Sequence, residues 1–187
     1  MAKQIIMKRI LILGCLLLAT AWSHAQTFTL KSKDVGGQAT NKQVFNGFGC
    51  TGENVSPQLS WENAPADTKS FAITMYDPDA PTGSGFWHWV VFNLPANTTE
   101  LKTGAGDAAK GLLPPGAIQS VTDFGQPGYG GPCPPQGHGL HTYLITVYAL
   151  KTPVLQGLDK TTMPALVGFN IHFNTLAKAS IVMYYQR

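Results

Sequence analysis

Four side chains with useful chemistry arrive at the ends of apolar runs in this sequence: Asp77, His88, His141 and Tyr143. Asp77 ends the run Phe71-Ala72-Ile73-Thr74-Met75-Tyr76 and opens Asp77-Pro78-Asp79-Ala80-Pro81, after which Phe86-Trp87-His88-Trp89 begins a second run. Further on, Gly131-Pro132-Cys133-Pro134-Pro135 leads through His138 to His141-Thr142-Tyr143 and a third run. A carboxylate beside imidazoles orients them and favours their protonated form. Imidazolium and a phenol hydroxyl both donate hydrogen bonds, so such a group suits a small anion. On this reading His88 and His141 are cations beside Asp77.

The surrounding elements must bring these groups together. Proline fixes φ and removes a backbone donor, so both loops are stiff and cannot join a sheet. Stiff loops carrying ionisable groups are places where small polar ligands bind. Side chains alternate along a strand, so His141 and Tyr143 share a face and Thr142 points away. If the strand ending at Asp77 neighbours the one holding His88, all four converge on one mouth of the sheet. Residues 28–33, 71–76, 88–94, 141–150 and 180–185 read as strands, rich in β-branched and aromatic side chains. One helix is predicted, with Thr162 as cap, Pro164 in the first turn, and Leu166, Phe169, Phe173 and Leu176 at helical spacing. Many strands and few helices predict a mostly β domain built on antiparallel sheets.

Residues 1–25 are set apart. Lys3, Lys8 and Arg9 precede an apolar stretch at residues 10–21, and Ser23-His24-Ala25 resembles a cleavage site, which predicts a signal peptide and an exported domain at 26–187. Cys15 as a lipid anchor is the alternative, against which stand the bulky Leu13 and the apolar residues beyond Cys15. The whole chain has thirteen Lys and Arg against ten Asp and Glu; three of the cations precede Ala25, leaving ten of each sign and Arg187 as the remaining arginine. That balance offers no basic face for a nucleic acid or an anionic membrane. Cys50 and Cys133 remain, an even count in an exported chain, which predicts one disulfide; two buried free thiols are the alternative.

The paired segments resemble the phosphatidylethanolamine-binding protein family, also called the Raf-kinase-inhibitor-protein family. Asp77 to Pro81 with His88 is similar to its first signature, and Gly131 to Tyr143 to its second. Phe45-Asn46-Gly47-Phe48-Gly49-Cys50, Asn54-Val55-Ser56-Pro57, Trp61 and Val167-Gly168-Phe169-Asn170 resemble its bacterial Raf-kinase-inhibitor-like branch. The resemblance implies a large antiparallel sheet packed on a smaller one, with short peripheral helices. It also implies an anion pocket for phosphate-like groups or phospholipid head groups. The implied ligand-binding residues are Asp77, His88, His141 and Tyr143, with Pro81, Trp87, Gly131 and Pro132 as walls. Where the family often has Arg, this chain has Thr142, so weak anion affinity is expected with no arginine near the site.

A non-enzymatic binding protein is therefore the leading expectation, with no cofactor and no metal. A protein-interaction module, such as an extracytoplasmic protease or kinase inhibitor, is the first alternative, and a homodimer stays open. A metal-dependent hydrolase using two His and Asp77, with His138 and Asp79 in reach, has too few anionic ligands. Ser84 lacks the spacing of a nucleophile elbow. Cys133 as a nucleophile conflicts with oxidation on export. Asp123-Phe124-Gly125 spells a kinase triplet without its accompanying loops and is read as chance.

Overall fold

A computed structural model describes residues 26–187; the predicted signal peptide and Cys15 lie outside the described residues. The strands are β1 Thr29–Lys31, β2 Asn46–Gly47, β3 Cys50–Thr51, β4 Leu59–Glu62, β5 Ser70–Asp77, β6 Phe86–Pro95, β7 Glu100–Leu101, β8 Ile118–Gln119, β9 His141–Leu150 and β10 Thr175–Tyr185. Helix α1 spans Pro164–Asn174, and Ala108–Lys110 forms one 3-10 turn. The main sheet is antiparallel, in the order β10-β9-β5-β6-β8, and a three-stranded sheet β1-β4-β7 packs against it.

The central strands are apolar on both faces because both faces are covered. On one side Ile73, Met75, Trp89, Val91, Ile145 and Val147 meet Leu30, Leu59 and Trp61 of the small sheet. On the other, Ala72, Val90, Phe92 and Leu150 meet Val167 and Ile171 of α1. Fully burying side chains of this size contributes about 1.5–3 kcal/mol each, which makes this double layer the main source of order.

Two expectations need correction. Met163, not Thr162, is the helix cap and makes no side-chain capping bond; the Thr162 hydroxyl accepts from Asp159 N at 2.9 Å in the preceding turn. The apolar spacing at Leu166, Phe169 and Phe173 is real but faces outward, since the helix buries Pro164, Val167 and Ile171 instead. Leu176 already belongs to β10.

Candidate functional site

β5 pairs with both β6 and β9, so Asp77, His88, His141 and Tyr143 do meet at one end of the main sheet. They line a cavity of about 190 Å³ together with Pro81, Phe48, Phe86 and Phe124. His141 and Tyr143 reach it by plain alternation on a regular stretch of β9. His88 reaches it by an irregularity. Met75 pairs with Trp89 and Tyr76 with Trp87, so His88 is an extra residue on β6 with no partner on β5. A β-bulge of this kind puts two successive side chains on one face. His88 and Trp89 accordingly both turn inward, His88 against Tyr143 at 5.0 Å between rings and Trp89 into the core.

The same bulge corrects the role of Trp87. Its indole lies on the opposite face, tilted against Tyr76 with ring centroids 4.6 Å apart and over Gly168 of α1, and Phe86 takes the wall position instead. Gly131 and Pro132 stand behind the wall. A Cβ on Gly131 would sit 1.9 Å from the Gln43 carbonyl, and Pro132 O accepts from Phe45 N at 3.0 Å. Asn54 fixes this loop, accepting from Gly131 N at 2.8 Å and donating to Tyr129 O at 3.2 Å.

The polar groups form two separate systems. In the first, Asp77 Oδ2 accepts from His141 Nδ1 at 2.7 Å, and His141 Nε2 lies 2.7 Å from Nδ1 of exposed His138. Asp77 Oδ1 accepts from Asp79 N at 2.8 Å, and Asp79 Oδ2 accepts from Thr142 N at 2.7 Å, which holds the proline-rich turn against β9. Both nitrogens of His141 are engaged within the protein, leaving no lone pair for a metal. Among the described residues no three His, Cys, Asp or Glu side chains are grouped to hold one.

In the second system, His88 Nδ1 lies 2.7 Å from the Gly130 carbonyl. A carbonyl only accepts, so Nδ1 carries the hydrogen and the neutral ring leaves Nε2 as an acceptor. Burial pushes the His88 pKa down to about 4, with only partial compensation from the Gly130 carbonyl and the Asp77 charge. The expected pair of cations is therefore wrong for His88, which is neutral near pH 7. Tyr143 is fully buried, and burial followed by the Asp77 charge pushes its pKa up, so it stays a donor. Its hydroxyl makes no well-formed hydrogen bond in the protein; the nearby Asp77 carboxylate is the acceptor that bears on it.

Cys50 and Cys133 are joined, with Cα atoms 6.1 Å apart and a separation of 83 positions in sequence. A loop of that size corresponds to roughly 4–5 kcal/mol in the chain-entropy account. Cys133 also lines the cavity, so the bond ties the hairpin β2–β3 to its wall. Arg187, remote in sequence, sits at this rim, its Nη1 3.3 Å from Phe48 O and 3.4 Å from Cys50 Sγ. The expectation of no arginine near the site is thus overturned. Phe124, dismissed with its triplet, supplies an aromatic wall, and Asp123 Oδ2 accepts from Trp87 N at 2.7 Å. The aromatic wall had no usable signal, because Phe48 comes from the tip of the β2–β3 hairpin, Phe86 from the start of β6 and Phe124 from the segment after β8, far apart in sequence.

Comparison with known proteins agrees with this architecture. The profile of the family described as phosphatidylethanolamine-binding protein matches residues 35–186. The UPF0098 protein YbcL of Escherichia coli K12 is 45% identical over 182 residues, covering 96% of this chain and 99% of that protein. YbhB of the same organism is 51% identical over 146 residues, covering 78% and 90%. The crystal structure of YbcL, described as a new member of the mammalian family, superposes with a TM-score of 0.84 at 47% identity, covering 87% of this chain and 99% of that one. A homologue from Chlamydia trachomatis, described as putative, superposes with a TM-score of 0.70 at 26% identity, covering 86% and 98%.

Proposed function

Since this chain belongs to the phosphatidylethanolamine-binding protein family, we propose that it is an exported, non-enzymatic binding protein whose cavity takes a phosphate-like anion, free or as a phospholipid head group. The observation that carries this reading is the Tyr143 hydroxyl, buried without a well-formed hydrogen bond in the wall of an otherwise mostly apolar cavity. An orphaned buried hydroxyl costs about 1–3 kcal/mol, a cost that a bound acceptor removes. Opposite chemistry stands beside it: neutral His88 offers a lone pair at Nε2. A phosphate monoanion matches both, accepting from Tyr143 through P–O and donating to His88 through P–OH. A dianion raises the His88 pKa and draws a proton onto the ring, so affinity rises as pH falls from 7 toward 5. The disulfide fits an oxidising compartment and supports export.

Calorimetry with phosphate and phosphoethanolamine on Tyr143→Phe tests this. The variant is expected to lose about tenfold or more in affinity, the worth of a hydrogen bond to a charged acceptor, while its unliganded stability holds or rises by up to about 1–3 kcal/mol, since the orphaned hydroxyl is gone. Equal affinity in both proteins overturns the reading.

A further inference from the structure

Helix α1 carries apolar side chains on both its buried and its outer sides. Its buried side is described above; its outer side presents Met163 at its cap, Leu166, Phe169 and Phe173, exposed by 70%, 51%, 61% and 60%. Leu176, 41% exposed, extends the patch onto β10, and Phe169 and Phe173 lie 4.8 Å apart. At roughly 200 Å² for a large open side chain, the patch is on the order of 500 Å², at or above the largest that soluble monomers usually leave uncovered. A helix apolar on both sides is one that is covered twice.

Two features of the helix choose the second cover. Two of its three polar side chains are turned back on the helix: Asn170 Nδ2 donates to Leu166 O and Asn174 Nδ2 to Asn170 O, both at 2.9 Å; the third, His172, is exposed and sits edge-on to Phe173, ring centroids 5.3 Å apart. Apart from His172, the outer face therefore offers hydrocarbon and little hydrogen bonding, whereas a protein interface carries about one hydrogen bond per 100–200 Å². The helix contains no Asp, Glu, Lys or Arg, and exposed lysines surround it. Lys151 N donates to Asn174 O at the C-terminal end. Lys178 lines the groove beside Gly168, Ile171 and Leu176. Lys160 precedes the cap, next to an Asp159 whose carboxylate is occupied by Thr161 and Thr162. None of the three lysines is in an ion pair among the described residues. Against lipid, Lys178 meets phosphate.

We propose that the outer face of α1 docks on an anionic phospholipid bilayer. The helix lies in the interface with Leu166, Phe169 and Phe173 in the acyl boundary and the lysine stems reaching head groups. No described helix is long and apolar enough to cross a membrane, so the contact is peripheral. On this proposal the relevant charge is local, whereas the sequence expectation rested on the balanced net charge. The contact is independent of the cavity.

The test is vesicle flotation of the protein with phosphatidylcholine containing phosphatidylglycerol, against phosphatidylcholine alone. Wild type is expected to float with the anionic vesicles, less so at high salt. Phe169→Glu/Phe173→Glu should lose at least about tenfold in partitioning, and Lys178→Glu should lose part of it. All substituted helix and strand side chains are exposed, and circular dichroism checks the fold. No flotation of wild type, or equal flotation of the double variant, overturns the proposal. So does light scattering showing a dimer that the double variant dissociates, which would give the face to a second copy.

Discussion

His88 and His141 stand at the same cavity, yet one is an isolated neutral acceptor and the other the middle of a relay. His141 sits where β9 begins, on a regular strand, between Asp77 and solvent-exposed His138. His88 sits on a bulge in β6, sealed among Phe86, Phe124 and Tyr143, with only the Gly130 carbonyl for company. Residue type alone does not set the charge of a histidine. Desolvation and the identity of the first partner do, and here the backbone decides both.

The sharpest way to break the comparison is to remove the carboxylate that only one of them uses directly. Asp77→Ala strips His141 Nδ1 and Asp79 N of their acceptor in a buried site. Unfolding by urea should report a loss of about 3 kcal/mol, and NMR of the His88 ring should show its tautomer unchanged. A change of tautomer at His88 would mean that the two systems are one.

Acid should act through His88. Its folded pKa of about 4 lies below the 6.5 of an unfolded histidine, so between those values the unfolded chain holds the extra proton. The stability contribution is complete above pH 6.5 and falls as pH drops toward 4, by about 3 kcal/mol at most. His88→Gln, which keeps a donor for Gly130 O, should flatten that part of the pH–stability curve. A profile unchanged by the substitution would assign the slope to other groups. Because His88 is buried and bonded, truncation to Ala is also expected to cost stability, about 2 kcal/mol.

Much of the site was legible in the sequence. The two proline-rich loops, the strands they feed and the pairing of His141 with Tyr143 all follow from period-two patterning and turn chemistry. The disulfide follows from a count of two. What escaped was the product of backbone irregularity and long-range packing. One extra residue at His88 reversed the expected side of Trp87, and no local pattern marks a bulge inside the run 86–94, where His88 and Asn93 stand among apolar side chains. The helix was located correctly by the spacing of Leu166, Phe169 and Phe173, but periodicity cannot say which of two apolar faces turns to the core. Nor could sequence distance show that residue 187 touches residue 48.

That last contact gives the smallest expected effect. Arg187 is exposed; Nη1 donates to Phe48 O at 3.3 Å, and its own carbonyl accepts from Gly137 N at 3.1 Å. It thus pins the tip of the β2–β3 hairpin and places a charge at the rim of a cavity whose His88 is neutral. An exposed charge is screened, so it is worth no more than about 0.5 kcal/mol to an anion, about a twofold change in affinity. Arg187→Gln should weaken phosphate by that factor at low salt and by nothing measurable at high salt. Arg187→Lys should recover the salt-dependent part, because it keeps the charge while losing the planar fork that grips Phe48 O. If Arg187→Gln instead matches Tyr143→Phe and stays salt-independent, the hairpin's position rather than the rim charge controls the cavity. The contrast between a neutral interior and a charged edge would then have to be abandoned.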